Sequence, residues 1–486
     1  MTESKRPRTP TPMARRTGAL GCVLLFVLCA VALAAAPGIA TAAPTAPSWQ
    51  PGGAGLALIA LQQAELTASG GAVGDNFGYS VALDGDTAVV GADTKTVGGN
   101  THAGAAYVFT RTGTTWTQQG SKLTAADSAA SDQFGYVVAV DGDTALVGAD
   151  TKTVGGNNFA GAAYVFTRTG TTWSQQGKLT ANDSALADIF GCSVALDGDT
   201  ALVGAEGKTV GGHAMAGAAY VFTRTGTTWS QQTELTASDA AAANVFGYSV
   251  ALDGTTALIG APWKSANAGV VYVFTGSGAT WTEEGKMTPS DPAGSDHFGS
   301  SLALDGTKAL IGTPGKIVSY ARTGAVYVFT MHTSVRDGVS WTQEARVAAS
   351  DGASGDLFGC SVALSGTTCL VGAYQAVAAG PGAAYVEVLK PAPSLTLKAK
   401  PQSVKVGMPV TVSGVVKNPV AGITQVQIWR KVGSKMTRLK RETITKSGAF
   451  KWTMRPGKAG KWDLVATYKV NRITFSSRAV KVKVQA

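Results

Sequence analysis

The dipeptide Phe-Gly returns six times at a nearly constant interval. It stands at Phe77-Gly78, Phe134-Gly135, Phe190-Gly191, Phe246-Gly247, Phe298-Gly299 and Phe358-Gly359, in steps of 57, 56, 56, 52 and 60 residues. A fixed period constrains a fold strongly: each unit must be one supersecondary piece that buries its apolar face against a neighbour. About fourteen residues after each Phe comes a second mark: Gly91-Ala92, Gly148-Ala149, Gly204-Ala205, Gly260-Ala261, Gly312-Thr313 and Gly372-Ala373. An aromatic run follows, as in Ala106-Tyr107-Val108-Phe109, and then a Trp segment at Trp116, Trp173, Trp229, Trp281 and Trp341.

Each unit reads as four strands. Tyr248-Ser249-Val250-Ala251-Leu252 exemplifies the first and Ala257-Leu258-Ile259-Gly260 the second. Asp253-Gly254 between them is a type I′ hairpin signal. The Tyr-Val-Phe run is the third strand and the Trp segment the fourth. Four-stranded units at this spacing predict propeller blades. The chain's 61 Gly show no G-X-Y period and serve turns. The sixth unit has no Trp segment. Residues 62–68, Gln-Gln-Ala-Glu-Leu-Thr-Ala, match 231–237, so an N-terminal strand is expected to complete the last blade and close the ring. The predicted class is all-β: a six-bladed propeller of four-stranded blades over residues 43–389, then a small Ig-like sandwich over 390–486.

The Phe77-Gly78-Tyr79-Ser80-Val81-Ala82 and Val89-Val90-Gly91-Ala92 segments, and Phe246-Gly247 with Gly260-Ala261-Pro262, resemble FG-GAP repeats. These build the propeller of integrin α subunits and of many secreted bacterial proteins. The resemblance covers about 330 residues and implies extracellular binding or adhesion. Two departures stand out. Integrin propellers carry seven repeats. Several integrin repeats also hold a calcium loop, which here is cut to Asp84-Gly85-Asp86, Asp141-Gly142-Asp143 and Asp197-Gly198-Asp199. Two carboxylates on a two-residue turn fall short of the six to eight oxygens calcium takes, so these read as turns.

Residues 1–42 read as an export signal. Arg15 and Arg16 precede an apolar run from about 18 to 36, and Ala40-Thr41-Ala42 offers a cleavage site. Cleavage leaves no transmembrane segment; an uncleaved anchor is the alternative. The expected location is extracellular, with association to the cell envelope as a variant. Cys192, Cys360 and Cys369 form neither a disulfide framework nor a zinc pattern. Cys192 and Cys360 take the Tyr slot of other repeats and read as core filling, with a Cys360–Cys369 bridge as the alternative.

Strand direction places the turns between strands one and two, and three and four, on one face. The longer loops share the other, where binding usually resides. That face carries Asp93, Asp150 and Glu206 after the second strand. Before each Phe-Gly it carries the pairs Asp127/Asp132, Asp183/Asp188, Asp291/Asp296 and Asp351/Asp356, with Asp239/Asn244 in the fourth unit. Two readings stand for these pairs: capping of local N–H groups, or a calcium site assembled from neighbouring loops. Lys95, His102, Phe159, His213, Trp263 and Lys264 differ between units and are candidates for contacting a protein or glycan ligand.

Catalytic patterns are weak. His102, His213, His297 and His332 are the only histidines and none joins a triad or metal motif. A sialidase Asp box fails because Phe109 and Arg111 replace its Ser and Asp. The expected function is therefore non-catalytic, without a required cofactor. A structural envelope component and a carbohydrate-active enzyme are the alternatives.

Pro391 and Pro393 mark the boundary to the C-terminal part. Seven alternating strands are expected there, at 395–397, 410–412, 425–429, 443–445, 450–452, 462–465 and 479–484. The pattern resembles bacterial Ig-like domains of secreted proteins. From residue 390 on there are 21 Lys or Arg and two acids, whereas residues 43–389 hold 15 basic and 28 acidic residues. The formal net charge of +10 is thus a sum of two opposed parts. The basic part is either a solvated face or an attachment point for an anionic envelope polymer. No nucleic-acid recognition module is present.

Overall fold

The computed structural model describes residues 66–318, 321–334, 338–349, 351–373, 383–389, 394–417, 425–432, 435–445, 449–470 and 473–485. The export signal, residues 62–65 and Pro391 and Pro393 lie outside the described residues. The described chain is all-β and divides into two compact units between Val388 and Leu389.

In the first unit, repeats one to five each form a four-stranded antiparallel sheet in sequence order. Repeat two is typical: Val137–Asp141, Thr144–Ala149, Ala162–Thr169 and Thr172–Leu179. Repeat six contributes three strands, Ser361–Ser365, Thr368–Ala373 and Ala383–Val388. The expected closing strand is described only from Leu66. Leu66 and Ala68 pack against the first core beside Tyr107 and Phe109. Leu123 and Ala125 hold the same place in the second core.

The cores lie between successive sheets. Val89, Ala106 and Val108 of repeat one meet Phe134, Val147, Tyr164 and Phe166 of repeat two. The Phe of each Phe-Gly is the centrepiece. Phe134 is fully buried and stands edge-on to Tyr164 at 5.5 Å and Phe166 at 5.8 Å, an arrangement favoured by ring quadrupoles. The Gly is required by a close backbone approach. Gly135 has φ +93°, and a Cβ there would lie 2.3 Å from the Ala105 carbonyl oxygen.

The tight turns differ in one respect from the expected type. Asp84 pairs with Thr87, so Gly85-Asp86 is the loop, and Gly85 alone has positive φ. That pattern is type II′ rather than I′. The first Asp therefore ends the strand, and its side chain is free to reach the next repeat.

The first strands of all six repeats line one shared cavity of about 290 Å³. Tyr79, Tyr136, Cys192, Tyr248, Ser300 and Cys360, each directly after Phe-Gly, stand on its wall. The slot read as core filling at Cys192 and Cys360 is thus a cavity-lining slot. In the sixth repeat Cys369 lies opposite Leu364, and Cys360 precedes the paired stretch, so the two are not cross-strand neighbours.

The second unit has two sheets around one core. One contains Ser394–Lys400, Val410–Lys417 and Ala449–Met454; the other contains Ser403–Lys405, Val480–Gln485, Gly460–Val470, Gln425–Val432 and Lys435–Thr443, with Ile473–Ser476 at its side. Val412, Phe450, Ile428, Leu464 and Val482 meet in the core. The strand expected at 443–445 runs instead over Lys435–Thr443. Its exposed, charged sequence masks a strand on the sheet edge, where charge blunts unwanted pairing.

Candidate functional site

On the loop face, the second strand ends at Gly-Ala or Gly-Thr, and a lysine follows three residues later in repeats one to five: Lys95, Lys152, Lys208, Lys264 and Lys316. In repeat two the Lys152 ammonium donates to Asp132 Oδ2 at 2.7 Å and to the Asp127 carbonyl at 2.5 Å. The same Asp132 oxygen accepts the Ala129 N–H at 2.7 Å. Lys95–Asp75 at 2.7 Å, Lys208–Asp188 at 3.1 Å and Lys316–Asp296 at 2.8 Å repeat the arrangement. Each of these lysines and acids is nearly excluded from water. Burial makes such a pair depend on its geometry, since either charge alone would be strongly disfavoured.

The first Asp of each pair is more exposed and serves another set. Asp127 accepts from the Tyr164 hydroxyl and from Lys178, both at 2.7 Å. Burial pushes its carboxyl up, but Lys178, Tyr164 and Lys152 outweigh that and bring it down to about 2. Asp183 is paired with Lys208 at 2.7 Å and Tyr220 at 3.0 Å. Asp291 takes Tyr327 at 2.6 Å, and Arg346 closes on it as well. Asp351 accepts from Tyr385 at 3.0 Å, and Asp356 from the Ala353 N–H. The eight aspartates considered for calcium thus face an ammonium, a guanidinium, a phenol or a backbone N–H. Among the described residues, no three His, Cys, Asp or Glu side chains are grouped to hold a metal ion. The partners Lys152, Lys208, Lys316, Tyr164, Tyr220 and Tyr327 were not singled out in the sequence. Their signal was present in the fixed offset of Lys from Gly-Ala.

The opposite face is stapled from repeat to repeat. Asp84 Oδ2 accepts the Gly142 N–H at 2.8 Å, and Asp141, Asp197, Asp253 and Asp305 accept from Gly198, Gly254, Gly306 and Gly366. The second turn carboxylates pair within their own repeat. Arg111, Arg168 and Arg224 bind Asp86, Asp143 and Asp199 and lie over Trp116, Trp173 and Trp229. Trp173 also donates to Gln119 of the preceding repeat at 2.8 Å.

The FG-GAP repeat family matches residues 61–109, 116–166, 173–222, 229–274, 281–329 and 341–386. The chain belongs to the FG-GAP repeat family. Six FG-GAP repeats, five of them in four-stranded sheets, support a β-propeller. No curated protein matches the chain. Similar solved structures include sucrose-6-phosphate hydrolase from Lactobacillus gasseri, at 8% identity and TM-score 0.28 over 71% of this chain and 83% of that one. A GH32 beta-fructofuranosidase of Bombyx mori gives 8% and 0.28 over 84% and 86%. The D0-D1 domain of Intimin gives 15% and 0.16 over 38% and 96%. Likenesses this distant carry no argument about this chain.

The six candidate ligand contacts of the FG-GAP repeats divide in two. Lys95 is 9% exposed and clasped to Asp75, and Lys264 is half-buried at 3.2 Å from Asp239. Both hold their own loops, and neither is a free ligand contact. His102, Phe159 and His213 are exposed, and Trp263 is partly so. His102 and Phe159 sit at positive φ, 53° and 56°, and their carbonyls accept the Gln133 and Ile189 N–H groups of the next repeat.

Asp93, Asp150 and Glu206 remain. All three follow the second strand, in repeats one, two and three. Burial pushes Asp93 up to about 6, against the pull of Asn76, its own and the Thr94 amide, and His102. Burial pushes Glu206 up to about 7. Asp150 is raised by burial and then by the charges of Glu206 and Asp93.

Proposed function

We propose that the chain is a secreted, non-catalytic binding protein: a closed six-bladed FG-GAP propeller of integrin-α type, carrying an Ig-like basic module. The carrying observation is the contrast between its two faces. One face has short turns, uniform in length and stapled from repeat to repeat. The other has longer loops that differ at His102, Phe159, His213 and Trp263 and are held by a recurring lysine clasp. A rigid base under variable loops is how binding surfaces are usually presented. Closure of the ring by residues 62–68 would remove the open edge of the sixth sheet. The pattern over residues 1–42 supports export, and among the described residues no helix is long and apolar enough to cross a membrane.

The basic module would attach the propeller to an anionic envelope polymer. Its exposed edge strand Lys435–Thr443 carries Lys435, Arg438, Lys440 and Arg441 against one acid, Glu442. The test is a glycan-array and pull-down screen with the mature chain. A saturable protein or glycan ligand supports the binding reading. Turnover of a glycan points to an enzyme, and neither outcome leaves a structural envelope component. Retention on isolated envelopes that persists unchanged in high salt overturns electrostatic attachment.

A further inference from the structure

Directly after Phe-Gly the six repeats divide into large and small residues. Repeats one, two and four carry Tyr79, Tyr136 and Tyr248, whereas repeats three, five and six carry Cys192, Ser300 and Cys360. All six line the shared cavity of about 290 Å³, so the small residues leave room where the others place a phenol ring. Two positions further along each first strand, five valines and Leu302 make an apolar wall. An apolar cavity of about 150 Å³ is enough to hold benzene. Val81, on this wall, is 46% exposed, so the cavity is reached from solvent.

Repeat three differs from the others at a second point. Glu206, the residue after its second strand, lines the cavity, whereas Asp93 and Asp150 at the same place in repeats one and two do not. A small residue and a long acid thus share one repeat, and the Glu206 N–H donates to the Cys192 sulfur. The Glu206 Oε2 is buried and accepts no hydrogen bond. A buried carboxylate oxygen without a donor is costly. Elsewhere the fold closes such acids with phenols. Asp127, Asp183, Asp239, Asp291 and Asp351 accept the hydroxyls of Tyr164, Tyr220, Tyr272, Tyr327 and Tyr385 at 2.6–3.0 Å. Glu206 supplies the acid of such a pair, beside a Cys192 that brings no ring.

We propose that this cavity, at Cys192 and Glu206, binds a small para-alkyl phenol, whose hydroxyl donates to Glu206 Oε2 and whose ring takes the space beside Cys192. The chemistry of the wall selects that class. Valine and leucine side chains favour a ring or an alkyl group over a sugar. A single buried acceptor calls for a single donor, which a phenol carries at the edge of an apolar ring. The Tyr79 and Tyr136 rings already pack with centroids 5.2 Å apart, and a ligand ring at the third repeat continues that set. A metal ion needs more ligands than one carboxylate and one thiol, and among the described residues no three His, Cys, Asp or Glu are grouped to hold one.

The test is calorimetric titration of the mature chain with 4-ethylphenol at pH 7.5, with 4-ethylanisole and benzylamine beside it. Saturable binding of the phenol is expected, about tenfold or more tighter than the anisole, as loss of one hydrogen bond to a charged group predicts. Glu206→Met keeps the bulk and removes the acceptor, and should bring the phenol down to the affinity of the anisole. Cys192→Tyr supplies the ring that repeats one and two carry and should abolish binding of both. Asp86→Asn, on the opposite face, should leave binding unchanged. Circular dichroism establishes that each variant is folded, and if one cavity variant is not, the other carries the comparison. Heat that does not saturate, equal binding of the anisole, tighter binding of benzylamine, or phenol binding unaltered in a folded cavity variant overturns the proposal.

Discussion

The lysine-clasped acids and the unclasped acids lie on one face, and Asp93 and Asp150 are buried to the same degree as the clasped set. Asp132 is 4% exposed and Asp150 6%. Asp132 has the Lys152 ammonium and the Ala129 N–H, whereas Asp150 has its own and the Thr151 amide and neighbours of its own sign. The clasp recurs in repeats one, two, three and five, and in repeat four as Asn244 with Lys264. The bare acids occur only in repeats one to three. A feature copied around the fold with its counter-ion is architecture. One confined to three repeats and lacking a lysine is held, at Asp93 and Asp150, by local hydrogen bonds alone, from Asn76 and the amides of residues 93, 94, 150 and 151.

The largest effect expected follows from breaking a clasp. Lys152→Ala leaves Asp132 buried and uncompensated and should cost about 3–5 kcal/mol in urea unfolding. The double variant Lys152→Met with Asp132→Leu should lose much less, because no charge remains buried. In repeat four the acid is already the neutral Asn244, and Lys264 is half-buried. Lys264→Ala should therefore be the mildest of the lysine deletions. Equal losses at Lys152 and Lys264 would remove the distinction between charged and neutral clasps.

The next effect separates the two sets by pH. Asp93 moves from 3.8 to about 6 and Glu206 from 4.5 to about 7, so the fold holds their protons more tightly than the unfolded chain. Their contribution is complete below about pH 4 and is lost as pH rises through 6 to 7, on the order of 3 kcal/mol per group. Asp127, Asp183, Asp239 and Asp291 are shifted the other way. Their contribution is present above 3.8 and is lost as pH falls toward about 2. The melting temperature should therefore peak between about pH 4 and 5. His297, lowered by burial and by Arg322, opposes the trio because protonating it disfavours the fold. His102, Tyr136 and Cys192 also surround the trio. Asp150→Asn isolates the trio's share: it should raise stability at pH 7.5 and change little at pH 4.5. A loss at pH 7.5 would mean that the charge is already compensated.

How much of this was legible follows the same line. Phe134 and Gly135 announce the inter-sheet core because the period repeats the residue and its neighbour together. The turn at Asp84 was legible as a turn, but its one-residue shift depends on register, which the dipeptide does not specify. Lys152 was hidden in a loop twenty residues from Asp132, although alignment of the repeats puts Lys at that place five times. The meeting of Asp93, Asp150 and Glu206 was not legible at all. Their separation in sequence follows the repeat period, and only the arrangement of neighbouring sheets brings their charges within reach of one another.

The smallest effects test whether stapling across repeats matters more than pairing within one. Asp84 and Asp86 flank Gly85 in a single exposed turn. Asp84 crosses to the Gly142 N–H of repeat two at 2.8 Å, while Asp86 binds Arg111 of its own repeat at 2.7 Å and is 66% exposed. Asp84→Ala removes a carboxylate from a backbone donor and should cost about 1 kcal/mol. It loosens the seam between two sheets that share Phe134. Asp86→Ala removes only a solvent-screened pair and should cost well under about 1 kcal/mol, with that small loss fading at high salt. Denaturant midpoints of both variants at low and high salt make the comparison. If Asp86→Ala is the costlier change, the Arg111–Trp116 stack that it anchors, with the guanidinium 5.3 Å from the ring centre, holds this face more firmly than the inter-repeat staple.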